Sequence, residues 1–404
     1  MTDIQYPPFL RPLLIWIAGI LINERFHPGI FALGLLLPPV IIVSVSFFTS
    51  RYAKALSRQA YPAGWTWGLS FLPMLLLTAI LTAEAYDGLS ADGALPLAID
   101  RWAGQTRHLL TEPIDSLNLD GNAKAALAAT TLGSRESMSR ETSRSFSAAG
   151  AAHILSVSGF HVGALYGFVA FALSLLGNGP AVLMLKRLVT IVVIWTFAVV
   201  TGLAPPTIRA AVTLSLYLCA QMINRRSTGY NNLCAAALLM LICNPRNLFD
   251  AGFQLSYISV ASIIFLQPRI VSIIEVRNPV LRAPWEWLAL SLAAQAGVSF
   301  MCMYYFGEIS TVFLPANLCL SLISALLIPV ALLWMLLPSW IPMYYYLERS
   351  VEFLARSMVQ ITDSFAQTPW ATVSLRLDAS TTVFCYVTML LGLYLWFGGK
   401  KKGE

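Results

Sequence analysis

Long apolar runs alternate with short polar or basic segments along the whole chain. A helix of ~20 residues crosses a hydrocarbon core of about 30 Å, and most of these runs approach that length. Two of them are short for a full crossing, so we predict about nine to twelve spans, with broken helices among them. The predicted spans are Pro12–Asn23, Ile30–Phe48, Thr66–Ala83, His153–Leu176, Leu188–Leu203, Thr207–Ile223, Asn231–Cys243, Leu248–Leu266, Glu286–Phe306, Thr311–Leu337 and Ser380–Phe397.

The composition indicates that the chain folds in a lipid bilayer. Of the 404 residues, 57% are apolar and 11% are charged, and the mean hydropathy is +0.69. A soluble domain carries about 25% charged residues, and a smaller share does not cover a soluble surface. The six cysteines lie in apolar stretches and never at CxxC spacing, which indicates packing residues. The sequence therefore predicts an all-α, polytopic integral membrane helix bundle.

Basic residues collect in alternate loops of this topology, for example at Lys186–Arg187 and Arg225–Arg226. Because Lys and Arg in short loops are retained in the cytoplasm, these loops are predicted to be cytoplasmic. The polar stretch Glu84–Ala152 is then predicted to be extracytoplasmic. The predicted organisation is N-terminal transmembrane helices at residues 1–83, an extracytoplasmic polar helical segment at residues 84–152, and a transmembrane core at residues 153–404.

The segment Ser350–Gln367 departs from the membrane pattern, because its apolar residues recur at helical spacing opposite charged and amide side chains. Such a segment forms an amphipathic helix. The helix is predicted to lie along the membrane interface, and packing on the bundle is the equal alternative.

The polar stretch before residue 153 is predicted to be helical as well. Its helices are expected at Leu97–Leu110, Asn122–Leu132 and about Met138–Ala149. Three arginines interleaved with Ser and Thr offer contacts to phosphate groups, and a solvated helix face is the more common explanation of the same pattern. These are Arg135, Arg140 and Arg144.

Ionisable and amide groups inside apolar runs are costly, so each is a functional candidate. Three short motifs qualify. The first opens a predicted span with two histidines and two serines, the second places an arginine after Pro205–Pro206, and the third brings an amide and a hydroxyl into a span. Their candidate residues are His153, Ser158, Gly159 and His161 in the first motif, Arg209 in the second, and Gln254 and Ser256 in the third.

Each motif has an alternative interpretation. His153 and His161 are eight residues apart, close to one helix face, which also suits a metal pair or a proton relay. A serine beside His161 suggests a nucleophile and a base, although no orienting third group is near in the sequence. The two prolines suit a tight turn between helices, and Arg209 then only reaches the membrane interface.

Two long runs give the sequence a family resemblance. The sequence contains the runs HILSVSGFHVGALYG and TGLAPPTIRAAVTLSLYLCAQMINRRSTGYNNLCAAALLMLICNPRNLFDAGFQLSYISV, and the polar lead-in LGSRESMSRETSRSFSAAGAAH. Together they resemble the competence region of the ComEC-type DNA-uptake channel family. The resemblance extends from about Ala123 to Leu266 and more weakly through Phe397. Members of this family commonly carry an OB-fold domain and a metallo-β-lactamase-like nuclease domain, and neither is expected in this sequence.

The resemblance implies an inner-membrane channel that conducts single-stranded DNA into the cytoplasm during natural transformation. The residues of the three motifs would then border the DNA path. We expect no catalytic residues, no metal and no cofactor. The expected partners are an extracytoplasmic DNA-binding competence protein and a cytoplasmic helicase-like motor, and a homo-oligomer is left open. The alternatives are a secondary transporter for an anionic solute and an intramembrane enzyme.

Overall fold

The computed structural model describes residues 7–27, 34, 64–89, 97–223 and 228–399. These residues form fourteen α-helices and one pair of three-residue strands. The helices are α1 (Leu10–Phe26), α2 (Gly64–Leu89), α3 (Leu97–Ser116), α4 (Gly121–Leu132), α5 (Arg140–Ala148), α6 (Gly159–Ser174), α7 (Pro180–Val200), α8 (Pro205–Met222), α9 (Gly229–Cys243), α10 (Ala251–Val271), α11 (Pro279–Tyr305), α12 (Phe313–Leu336), α13 (Pro342–Ala366) and α14 (Ala379–Gly399). The strands β1 (Glu308–Ser310) and β2 (Thr372–Ser374) pair antiparallel.

Helices stand at the predicted spans, except that Ile30–Phe48, apart from Gly34, lies outside the described residues. Within the described part of the chain, four helices are long and apolar enough to cross a membrane. They are α7, α10, α11 and α12, and shorter apolar helices occur at Gly159–Ser174, Gly229–Cys243 and Ala379–Leu395. The all-α class is confirmed, with four candidate spans, whereas the total of nine to twelve stays a prediction. The basic segment Arg225–Arg226 is also outside the described residues.

The chain divides into two compact units, one formed by Met1–Leu95 and Ile223–Gln254 and the other by Pro96–Met222 and Leu255–Glu404. In the first unit α1 packs on α2 and α9. A Cβ atom added to Gly19 of α1 would lie 2.6 Å from the Ala79 Cβ of α2. Small residues thus bring these two helix backbones together, as is common where helices associate in lipid.

Helix α4 lies at the centre of the second unit. Its apolar residues Ala123, Ala126, Leu127 and Leu132 are fully buried and share one core cluster with α12 and α13. The expected helices of the polar stretch are confirmed, but sequence reasoning missed that α4 is a core element. The reason is that its alanines and threonines give little hydropathy, while their small size lets neighbouring helices surround α4 closely.

Helix α13 corrects the prediction of an interfacial helix. Its apolar stripe packs on protein, since Val351, Ala355 and Met358 are fully buried in the core cluster shared with α4 and α12. The predicted polar face also contributes, because the Glu352 carboxylate accepts a hydrogen bond from the Asn118 backbone N–H at 2.7 Å. The amphipathic pattern therefore reports a helix packed on the bundle, which was the alternative interpretation.

Glu352→Ala is expected to lower the free energy of unfolding by about 1–3 kcal/mol, because it leaves the Asn118 N–H without its acceptor. The carboxylate is 8% exposed and also pairs with Arg349 at 3.0 Å, but Arg349 is itself half-exposed and adds little. Glu352→Gln keeps an acceptor oxygen and should recover most of the loss. Unfolding of the purified protein, followed by circular dichroism, measures the difference. Glu348→Ala on the same helix is the control, and an equal loss there would contradict the assigned bond.

Strands β1 and β2 tie the end of α11 to the start of α14. The end of α5 is held against this strand pair, since Ser310 Oγ donates to the Ala148 carbonyl at 2.7 Å. Gly150 has a φ of +74°, and a Cβ atom there would lie 2.9 Å from the Ser310 Cβ and 3.0 Å from the Phe313 Cβ. The close approach requires a residue without a side chain, so Gly150 fixes the position of the segment that follows.

Candidate functional site

The first motif forms a turn followed by the start of α6. Ser158 is the N-cap residue, with an extended backbone at φ −110° and ψ 175°, and His161 is the third residue of the helix. The Ser158 N–H donates to His161 Nδ1 at 3.2 Å, and Ser158 Oγ lies 2.9 Å from the same nitrogen. The prediction that His153 and His161 share a helix face is therefore wrong. The cap begins the helix at Gly159, which leaves His153 in the preceding turn.

The contacts of His161 fix its tautomer and its role in this structure. A backbone N–H only donates, so Nδ1 accepts and the ring proton of the neutral imidazole is on Nε2. The side chain is fully buried. Nε2 lies beside the Ile154 backbone but makes no hydrogen bond of normal geometry within the described residues. The Ser158–His161 pair thus caps α6 in the manner of a capping box.

His153 has the opposite environment. The residue is exposed, and the Asn317 side chain of α12 lies near its imidazole. Asn317 is buried and donates from Nδ2 to Ser291 Oγ of α11 at 3.1 Å. A line of polar groups therefore runs from the turn before α6 to α12 and α11.

The turn before α6 is also the point where other predicted segments meet. Arg135 Nε donates to the Leu155 carbonyl at 3.0 Å, and Thr207 Oγ1 donates to the Val157 carbonyl at 3.1 Å. A Cβ atom on Gly159 would lie 3.7 Å from the Ala210 Cβ of α8. The structure thus brings the first and second motifs together with Arg135, although they are distant in the sequence.

The predicted break of the second motif is present, but the prolines do not stop α7. Helix α7 ends at Val200, and Pro205 begins α8 four residues after Thr201. The turn between them contains Gly202 at φ +80° and Leu203 at φ +51°. Proline suits the first turn of a helix because its missing N–H has no partner to lose there.

Arg209 sits in the first turns of α8 and is 5% exposed. Its carbonyl accepts a hydrogen bond from Thr213 Oγ1 at 2.7 Å, and the residue makes a further interaction within the protein. Burial of Arg209 does not distinguish a structural role from a place beside a solute path. A place for Arg209 on the substrate path therefore stays a prediction.

Sequence reasoning missed Arg107 of α3. Its Nε donates to the Val200 carbonyl at 3.1 Å, at the end of α7, where carbonyl groups have no partner within the helix. Its guanidinium covers Gly202, because a Cβ atom there would lie 2.0 Å from one terminal nitrogen of Arg107. No sequence signal pairs Arg107 with Gly202, since 95 positions separate them and only packing brings them together.

The remaining predicted residues are on α5 and α10. Arg140 and Arg144 are exposed on α5 and form no hydrogen bond or ion pair with the described residues. Gln254 Nε2 donates to the Leu248 carbonyl at 2.8 Å, which secures the start of α10. Ser256 is half-buried on α10. Among these, only the exposed arginines are presented to a ligand without rearrangement.

The meeting point therefore combines an exposed imidazole, a buried amide and hydroxyl, and helix starts at α6 and α8. Helix N-termini carry partial positive charge from unpaired N–H groups, and anions are favoured beside them. Within the described residues there is no group of three His, Cys, Asp or Glu side chains that would hold a metal ion. The arrangement offers hydrogen bonds and weak positive potential to a polar or anionic solute.

A family model described as "Competence protein" matches residues 130–399, about two thirds of the chain. The "ComE operon protein 3" of Bacillus subtilis (strain 168) is 27% identical over 203 residues, which are 50% of this chain and 24% of that protein. The chain thus matches about a quarter of the length of this relative. No solved structure matches. The matched region contains α5 to α14 and the whole turn before α6 with its contacts. Because the family model matches more than half of the chain, the chain belongs to the competence protein family.

Proposed function

We propose that this chain conducts single-stranded DNA across the cytoplasmic membrane of a bacterium during natural transformation. The observation that carries the proposal is the turn before α6, where an exposed histidine lies near the Asn317 amide of α12, which is bonded to Ser291 of α11. It lies inside the matched region of a competence family, in a chain with several candidate spans. The family membership supports a role in DNA uptake during transformation.

The polar groups of this region suit the passage of a polyanion, which must be bound and then released. A channel wall binds its solute weakly at several points, since a deep charge trap stops passage. His153 and Asn317 supply hydrogen-bonding groups of low charge, and two helix starts add weak positive potential. We propose that the chain itself does not cleave DNA, and that a cytoplasmic motor drives the strand while an external competence protein delivers it.

Deleting the gene in a transformable strain is expected to abolish the appearance of labelled, nuclease-resistant DNA inside cells, with growth and envelope unchanged. An introduced copy should restore both DNA internalisation and transformation frequency. The measurement is the intracellular label per cell after external nuclease treatment. Undiminished internalisation in the deletion strain would refute a channel role. Loss of growth on one anionic solute, with normal DNA uptake, would favour a transporter instead.

A further inference from the structure

An open cavity of about 660 Å³ lies where the end of α11 meets the start of α14. Three kinds of group line it: two adjacent tyrosines, one arginine and one aspartate. These are Tyr304, Tyr305, Arg376 and Asp378, together with Leu377 and Ala379. We infer that this cavity is a binding site for single-stranded nucleic acid, in which a base stacks on Tyr304 and a phosphate contacts Arg376. The inference rests on the proposed function and names a site for its substrate.

The backbone holds these groups in a fixed arrangement. The Leu375 N–H donates to the Gly307 carbonyl at 2.9 Å, which extends the pairing of β1 and β2 to the cavity. Gly307 has a φ of +71°, and a Cβ atom there would meet the Arg376 stem at 3.7 to 3.9 Å. The stem of Arg376 therefore packs over Gly307. Its guanidinium is exposed and forms no hydrogen bond or ion pair with the described residues.

The aromatic side of the cavity offers a stacking surface. The ring centroids of Tyr304 and Tyr305 are 4.9 Å apart at 67°, and those of Tyr305 and Phe306 are 6.5 Å apart. Edge-to-face packing between neighbouring rings restricts the orientation of each ring, and Tyr304 remains 36% exposed. Base stacking on an aromatic side chain tolerates any sequence, because every base has a π-face. A strand passing without sequence preference needs this type of contact.

Asp378 forms no ion pair with Arg376 among the described residues. Its carboxylate accepts hydrogen bonds from the Thr381 hydroxyl and from the N–H groups of Ser380 and Thr381. The Thr381 hydroxyl, followed by these N–H groups, holds the pKa of Asp378 below its usual range. Asp378 therefore stays ionised, and its carboxylate is directed to the start of α14. Arg376 is the cation that lines the cavity.

The test uses the full purified chain in nanodiscs and a fluorescein-labelled 15-mer of thymidylate, with binding followed by anisotropy over a range of salt concentrations. Arg376→Ala is expected to weaken binding about tenfold and to reduce the salt slope by about 0.7, the value for one lost phosphate contact on a single strand. Arg277→Ala is the matched control. It makes the same charge change before the other end of the 27-residue α11, about 40 Å away.

Tyr304→Ala is expected to weaken thymidylate binding about tenfold and to leave binding of inorganic polyphosphate unchanged, because polyphosphate has no base to stack. Tyr304→Phe keeps the ring and should bind within about twofold of the parent protein. Thermal unfolding of each variant confirms that the fold is intact. A tyrosine that only anchors α11 at the lipid interface would leave thymidylate binding unchanged on replacement by alanine.

The outcomes separate this site from the proposed function. If the parent protein binds thymidylate while Arg376→Ala and Tyr304→Ala bind equally well, the site is refuted and the channel proposal stands. If Arg376→Ala and Arg277→Ala lose affinity equally, the effect is bulk charge and the site is likewise refuted. If Arg376→Ala weakens binding of anionic lipid vesicles but not of thymidylate, the cavity holds a lipid headgroup. If the deletion strain internalises DNA normally, the proposed function fails independently of these measurements.

Discussion

Gly150→Ala is expected to reduce the yield of folded protein about tenfold or more, the largest stability effect that we predict for a single methyl group. Two costs add. A side chain at φ +74° loses about 1–2 kcal/mol, because Cβ crowds the following carbonyl oxygen. Overpacking against Ser310 and Phe313 adds about 1–3 kcal/mol, since the Cα and Cβ of Phe313 belong to the start of α12 and cannot turn away. Native proteins are stable by only about 5–15 kcal/mol.

The measurement is the monodisperse fraction after detergent extraction, together with the unfolding temperature of what remains. Gly163→Ala is the matched control, because a Cβ atom there has nothing within 4 Å and the residue lies inside α6. Alanine favours a helix by about 1 kcal/mol over glycine, so this control should be neutral or slightly stabilising. Equal yields for the two variants would show that the turn before α6 is not held tightly against Ser310 and Phe313.

Replacement of His153 is expected to lower DNA internalisation, whereas replacement of His161 is expected to lower the amount of folded protein. His153 is exposed, so His153→Ala should leave the protein level unchanged and lower DNA internalisation per folded protein about tenfold, the effect of about 1.4 kcal/mol on a rate. His161 is fully buried and caps α6, so His161→Ala should lower the protein level by removing the acceptor for the Ser158 N–H. Loss of a helix cap costs about 0.5–2 kcal/mol, and the cavity adds to that cost.

His161→Gln distinguishes a capping role from a role in conduction. Glutamine at the third helical position is the usual partner of an N-cap serine, so it should restore the protein level. We expect DNA internalisation per folded protein to return with it, because His161 has no exposed surface to offer a strand. Uptake that stays low in well-folded His161→Gln would place His161 on the conducting path. Unchanged normalised uptake in His153→Ala would remove His153 from that path.

The sequence by itself determined the class of this protein, because hydropathy depends on residue type alone. Apolar runs separated by basic loops allow only helices that satisfy their own backbone hydrogen bonds in lipid, and helices stand at the described predicted spans. The family was also readable from the HILSVSGFH and GFQLS runs and is confirmed. The N-cap at Ser158 was not identified from the sequence, because an imidazole rarely takes the place of Glu or Gln in a capping box.

Other features depended on contacts between distant residues, which no local pattern encodes. The amphipathic pattern of α13 is the same for a helix that lies on lipid and for a helix that packs on protein. Only its packing against α4 and α12 distinguishes the two. Arg107 over Gly202, Asn317 beside His153, and Arg376 over Gly307 join residues from separate helices or loops. The hydropathy pattern thus predicts which apolar segments form helices. Contacts between distant parts of the chain determine which polar side chains lie near one another.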